Sequence, residues 1–227
     1  MTGLGCLALA SAAFVGSHLL MSHPLRPGLV RLLGERGFAL AYTVVAIGLL
    51  YLMTRYYGAA ADEAPALLWD LGQAGWIVAT LLMWLGSVLF IGSLRRNPAF
   101  PRPGRPVTKI DEARGVYAIT RHPMMWGFAL WALVHAMVVP NVASLIVSAA
   151  IGGLALVGAA GQDAKKGHLI GEPWIDYRSR TSFAPFGRGL ASPGTFAFIG
   201  GTLLWLAATW AHGALGYRPA GIWAFLS

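Results

Sequence analysis

Six apolar runs, each close to the length of a membrane-spanning helix, constrain the fold of this chain more than any other feature. They cover residues 3–22, 37–56, 74–94, 124–140, 142–161 and 195–216. A helix needs about 20 mostly apolar residues to cross a bilayer. Because 56% of the 227 residues are hydrophobic and only 11% are charged, polar surface is too scarce to coat a water-soluble globule. The sequence therefore predicts an all-α, polytopic integral membrane protein with about six transmembrane helices.

The basic residues indicate how these helices are oriented. Of the 17 lysines and arginines, 15 fall in three connecting segments, 23–36, 95–122 and 162–194, and only Arg55 and Arg218 lie elsewhere. Positively charged loops stay on the cytoplasmic side of a membrane, so both termini are expected outside the cytoplasm. Topology thereby accounts for the formal net charge of +8, and no nucleic-acid partner is expected.

The connecting segments support further predictions. Only Pro140-Asn141 links the fourth and fifth runs, which predicts an antiparallel hairpin. Segment 95–122 contains four prolines and is expected to be an irregular cytoplasmic loop. The single cysteine, Cys6, excludes an internal disulfide and any zinc cluster built on cysteines.

Three histidines are candidates for a functional site. His18 and His135 lie within apolar runs, where an imidazole either serves a site or is hydrogen-bonded to a neighbouring helix. His122 lies in Thr120-Arg121-His122-Pro123, ahead of the fourth run, where it could orient the loop, bind an anion or contact a cofactor. Thirteen residues of helix separate His122 from His135 by about 20 Å, so these two cannot share one compact pocket.

Two chemistries fit these residues. Two neutral imidazoles on different helices, without cysteine or a Glu-x-x-His pair inside the spans, suit axial ligation of haem better than a zinc or di-iron site. However, Arg121-His122-Pro123 followed by Gly171-Glu172-Pro173-Trp174-Ile175-Asp176-Tyr177 also resembles integral-membrane methyltransferases of the isoprenylcysteine and phospholipid type. That alternative implies S-adenosylmethionine as the cofactor.

Four segments together resemble the NnrU family, whose plant relatives are 15-cis-zeta-carotene isomerases. They are His18 with Leu25-Arg26 and Gly34-Glu35, Ile119-Thr120-Arg121-His122-Pro123, Trp131-Ala132-Leu133-Val134-His135, and Arg180-Thr181-Ser182-Phe183-Ala184-Pro185-Phe186. The resemblance spans about 14–190. It implies a haem-binding membrane domain over 1–190, with 191–227 as a C-terminal transmembrane helix and tail of the same unit, in the bacterial inner membrane.

The resemblance also implies a cofactor and a reaction. The cofactor is haem b, with its iron ligated by His18 and His135 and its propionates near Arg26 and Arg121. The reaction is cis–trans isomerisation of the central double bond of a hydrophobic, carotenoid-like polyene by ferrous haem, with ligand exchange at the iron on reduction. The implied partners are this polyene, membrane lipid and an electron donor that the sequence does not identify.

The chain departs from the plant enzymes at one position. Ala132 stands where those enzymes carry a cysteine three residues before the second ligand, so a ligand exchange here must use another group, such as His122. Bacterial members of the family are associated with nitrogen-oxide metabolism, which keeps a non-catalytic haem or nitric-oxide-responsive protein as a further alternative. The predicted spans place His18 about 6 Å, and His135 about 18 Å, from the cytoplasmic ends of their helices, so a haem between them would lie obliquely.

Overall fold

The protein consists of helices joined by loops in the part that its structure describes, a computed structural model covering residues 2–95, 97–98 and 107–226. No strand forms within those ranges, which confirms the predicted all-α class. The elements are α1 (Gly3–Ser22), α2 (Arg26–Glu63), α3 (Gly72–Ser93), α4 (Val116–Ile119), α5 (Pro123–Val138), α6 (Val142–Ile170), α7 (Glu172–Ser179), α8 (Thr195–Ala214) and a terminal 3-10 helix (Ile222–Phe225).

Four of the described helices, α1, α2, α3 and α6, are long and apolar enough to cross a membrane. The chain is therefore a membrane protein, but four such helices stand where the sequence predicted about six. The fourth predicted span corresponds to α5, whose 16 residues extend only about 24 Å and fall short of a 30 Å hydrocarbon core. The sixth corresponds to α8, which has 20 residues but is not among these four helices.

Two helices continue beyond the predicted spans. α2 begins at Arg26 rather than near 37, with a non-helical residue at Gly34 (φ 70°, ψ 168°), and α6 runs on to Ile170. Polar residues can continue a helix outside the bilayer, where hydropathy no longer marks it. The segment predicted to be irregular, 95–122, contains the single turn α4, and its residues 96 and 99–106 lie outside the described part.

The chain divides into two compact units. Unit 1 consists of Met1–Leu71 and His135–Leu154. Its α1 and α2 are antiparallel, because the backbone N–H groups of Gly3 and Leu4 both donate to the carboxylate of Glu63. Its core joins side chains from α1, α2 and α6, namely Leu7, Ala10, Met53, Ala60, Ala143 and Ala150.

Unit 2 consists of Gly72–Val134 and Ala155–Ser227. Here α3 and α8 approach so closely that a Cβ atom on Gly201 would lie 2.4 Å from the Cα of Val88, which requires glycine at that position. Trp84 Nε1 donates to the hydroxyl of Thr202 across the same contact, at 2.9 Å. α8 belongs to unit 2, and the boundary predicted after residue 190 stays a prediction.

Candidate functional site

A buried carboxylate, Asp163 of α6, forms the centre of a polar cluster in unit 2. Its oxygens accept hydrogen bonds from Arg121 Nε at 2.9 and 3.0 Å and from His122 Nε2 at 2.7 Å. Asp163 is 7% exposed and His122 is 3% exposed. An arginine and a histidine therefore share one carboxylate in surroundings where an unpaired charge would be strongly unfavourable.

The residues around Arg121 explain why these side chains reach α6. Pro123 is the first residue of α5, a position that suits proline because its missing N–H would have no helical partner. One turn earlier, the Thr120 hydroxyl accepts the N–H of His122 at 3.2 Å and donates to the carbonyl of Phe183. The connection from α4 to α5 is thus fixed on both sides of Arg121.

The C-terminal part of the family-like pattern packs against this connection. The backbone N–H of Arg121 donates to the Ser182 carbonyl at 2.9 Å, and Trp126 Nε1 donates to the Phe183 carbonyl at 2.8 Å. The N–H of Phe186 donates to the Ile119 carbonyl at 3.0 Å. Two of the four segments that carry the resemblance, 119–123 and 180–186, are therefore in direct contact.

Helix α7 completes the cluster. Trp174, fully buried, donates from Nε1 to the backbone carbonyl of Asp163 at 3.1 Å. The ammonium of Lys166 lies over the Trp174 ring, 4.6 Å from its centroid. The segments that resemble methyltransferases, Arg121–Pro123 and Gly171–Tyr177, consequently meet at Asp163.

Two buried phenols lie nearby in unit 2. The Tyr117 hydroxyl donates to the carbonyl of Ser93 at 2.9 Å, and burial raises the pKa of Tyr117 to about 12. Burial also raises the pKa of Tyr177 above its ordinary range. Within the described residues the Tyr177 hydroxyl has no hydrogen-bond partner. Both phenols are therefore neutral at physiological pH.

The cluster contains two residues that the sequence singled out, Arg121 and His122, and one that it did not, Asp163. When His122 is neutral, donation from Nε2–H to Asp163 leaves the lone pair on Nδ1. The Arg121 guanidinium is paired with Asp163, and its predicted place near a haem propionate stays a prediction. Asp163 was not predicted, although it is the only acidic residue in 142–170 and directly follows an apolar run, which is a recognisable signal.

His18 occupies a different setting, in unit 1. Its ring is half-buried on α1, and Nδ1 donates to the Phe14 carbonyl at 2.7 Å. The ring centroids of Phe14 and Tyr42 lie 4.3 and 5.2 Å from that of His18. Arg26 lies in the same unit, where it forms a 2.9 Å ion pair with Glu35.

His135 belongs to unit 1 as well, but at a different level along the helices. Ala143, just after the α5–α6 turn, shares a core cluster with Leu7 and Ala60, so this turn lies near the start of α1. His135 is therefore about 7 Å from that end, and His18 about 22 Å. The histidines are separated along the helix axes by about 15 Å.

No group of three or more histidine, cysteine, aspartate or glutamate side chains within the described ranges could hold a metal ion. A haem site does not require such a group, because only one or two side chains bind its iron. The predicted site residues thus fall into two sets: His18, His135 and Arg26 in unit 1, and Arg121 and His122 in unit 2.

Comparison with known proteins identifies the family. A family model described as NnrU protein matches residues 6–219. No curated protein and no solved structure matches the chain. The match extends through α1 to α8 and includes the Asp163 cluster as well as both predicted ligand histidines. The chain therefore belongs to the NnrU family.

Proposed function

We propose that this protein binds haem b in unit 1 through His18 and acts as a cis–trans isomerase of a hydrophobic polyene in the bacterial inner membrane. The proposal rests on one observation, the hydrogen bond from His18 Nδ1 to the Phe14 carbonyl inside an apolar helix. A metal-ligating histidine characteristically donates its other ring N–H to a carbonyl or carboxylate. This bond leaves the lone pair of His18 on Nε2, the form that an iron ligand requires.

The side chains around His18 are suited to binding a haem. Phe14 and Tyr42 cover the imidazole with aromatic surface, and the Tyr42 hydroxyl accepts a hydrogen bond from Ser22 at 3.3 Å. Arg26, on the same pair of helices, is the cation that the resemblance implies for a propionate, and its partner Glu35 is exposed. When bound, ferrous haem would supply the electron density that lowers the rotational barrier of the central double bond.

The second ligand, His135, stays a prediction. If His18 and His135 both held one iron, their ring nitrogens would have to lie within about 4 Å of each other, because a metal–imidazole bond is about 2 Å long. An offset of about 15 Å between the two residues along regular helices is difficult to reconcile with that distance unless the helices tilt strongly. The proposal therefore gives His18 the principal ligand role, and a spectrum of the His135→Ala variant decides whether His135 joins it.

Activity tests the isomerase part of the proposal. Haem-loaded protein in liposomes, reduced with dithionite, should convert a polyene with a central cis double bond into its trans form, measured by chromatography. His18→Ala should abolish the conversion. His212→Ala is the matched control and should retain it: His212 makes the same kind of hydrogen bond, to Ala208 at 2.8 Å, but its ring is exposed, whereas Phe14 and Tyr42 cover that of His18. Stable haem binding without conversion would favour the non-catalytic, nitric-oxide-responsive alternative.

A second candidate function, methyl transfer from S-adenosylmethionine, is favoured by the contact between Arg121–Pro123 and α7 at Asp163. Calorimetric titration of the purified protein with S-adenosylmethionine tests it. We expect no binding, because the imidazole and the guanidinium of the shared motif are both bound to Asp163. Micromolar affinity that is lost in His122→Ala and in Glu172→Ala would establish the methyltransferase alternative instead.

A further inference from the structure

The first helical segment of α2, residues 26–33, is set apart from the rest of that helix. Gly34 has a φ of 70° and a ψ of 168°, which interrupts the helix between this segment and the spanning part. A Cβ atom at Gly34 would meet nothing within 4 Å, so the glycine is required by backbone conformation and not by packing. The helix axis of 26–33 therefore does not continue the axis of the span.

This segment is amphipathic. Leu25, Leu29, Leu32 and Leu33 occur at i, i+4, i+7 and i+8, which places them within an arc of about 100° on a helix. Leu32 is 79% exposed and Leu25 is 49% exposed, so this apolar face is largely uncovered. Arg31 lies on the opposite side of the segment and is also exposed.

One ion pair fixes the segment against the span. Arg26 Nη2 donates to Glu35 on the other side of the break at 2.9 Å, and the Arg26 guanidinium lies over the Phe38 ring, 5.3 Å from its centroid. Because Glu35 is engaged by Arg26, it does not neutralise the other arginines. Arg31 and Arg36 are exposed and form no ion pair with any described residue.

We propose that residues 25–36 form a binding site for anionic phospholipids at the membrane interface. The leucine face lies at the boundary between headgroups and acyl chains, and Arg31 and Arg36 bind headgroup phosphates. Short helices with an apolar face and an arginine-bearing face adopt this position, and each basic residue near an anionic leaflet adds to the attraction. The partner is identified by charge complementarity, and the inference does not depend on haem.

Depth measurements test the placement of the leucine face. Single cysteines replace Leu32 or Arg31 in a Cys6→Ser background of the full-length protein in nanodiscs, and each carries an environment-sensitive fluorophore. Leu32→Cys should be quenched by nitroxide-bearing lipids and protected from aqueous iodide, whereas Arg31→Cys should be quenched by iodide. Equal quenching of both positions by iodide would overturn the proposal.

Lipid preference tests the arginines. The wild-type protein and its arginine variants are compared in nanodiscs that contain both phosphatidylcholine and phosphatidylglycerol. Native mass spectrometry counts the lipids that each protein retains. Removing each arginine should weaken phosphatidylglycerol binding about fivefold, and Arg31→Gln with Arg36→Gln about 25-fold. The control variants Arg31→Lys and Arg36→Lys keep the positive charge, and Arg55→Gln lies at the other end of α2. All three should bind phosphatidylglycerol like the wild type. Unchanged retention in the double variant, or displacement of the lipid by inorganic phosphate, would contradict the assignment.

Discussion

Asp163 is the residue on which unit 2 depends most for its buried polar contacts. Asp163→Asn would leave the Arg121 charge without its partner, and breaking a buried ion pair by removing one side costs about 3–5 kcal/mol. We therefore expect a clearly lower melting temperature in detergent. Asp176→Asn is the matched control, because its pair with Arg180 is an exposed i,i+4 contact of little energetic weight. Equal melting temperatures for the two variants would show that the Asp163 cluster is not structural.

The two buried tyrosines should respond in opposite ways to loss of their hydroxyl groups. Tyr177→Phe removes a buried hydroxyl without a partner among the described residues, so stability should be unchanged or higher by about 1 kcal/mol. Tyr117→Phe removes the bond to the Ser93 carbonyl and should cost about 1 kcal/mol. Thermal unfolding of both variants measures the difference. A loss of stability in Tyr177→Phe would mean that its hydroxyl has a partner, such as bound water.

Among the residues of the polar cluster, the sequence identified Arg121 and His122 but not Asp163. Arg121 and His122 are recognisable because they precede a proline and an apolar helix. Their pairing with Asp163 is not, because 41 residues separate His122 from Asp163, and only the packing of α6 against the start of α5 brings them together. His18 was recognisable from its apolar neighbours alone. Its hydrogen bond to Phe14 was not predictable from the sequence, because it depends on the side-chain conformation of His18.

Among the helices, the break in α2 can be tested directly. Gly34→Ala forces a side chain into a positive-φ conformation (φ 70°, ψ 168°) that is almost exclusive to glycine, and it should cost about 1–3 kcal/mol. Gly48→Ala is the matched control: it lies within the same helix, and a Cβ atom there also meets nothing within 4 Å. That change should be neutral or stabilising by about 0.5–1 kcal/mol. Thermal unfolding in detergent compares the two, and equal stabilities would indicate that α2 is continuous through Gly34.

Apolar runs predicted some helices much better than others. The runs 3–22 and 74–94 correspond closely to α1 and α3, because these helices end where the hydrophobic sequence ends. α2 and α6 extend further because their backbone hydrogen bonds continue through charged residues. The helix α7 was not predicted, since it has only 8 residues and is stabilised by burial of Trp174.

For the whole molecule, the distribution of basic residues predicts the orientation in the membrane. Asp62→Cys and Asp176→Cys, each in a Cys6→Ser background, should react with a membrane-impermeant maleimide from opposite sides. Asp176→Cys should be labelled only in inside-out vesicles and Asp62→Cys only in intact spheroplasts. Labelling of Asp62→Cys from the cytoplasmic side would reverse the predicted topology.

The central proposal, ligation of haem by His18, is tested most directly by the absorption spectrum of the purified protein, oxidised and then reduced. We expect a Soret band in the wild type and in His212→Ala, and its loss or a marked shift in His18→Ala. If His18 alone holds the haem, the reduced protein should bind carbon monoxide readily. His135→Ala should change the spectrum only if that residue supplies the second ligand. A protein that neither contains haem nor takes it up when supplied would contradict the proposal, as would a spectrum unchanged in His18→Ala.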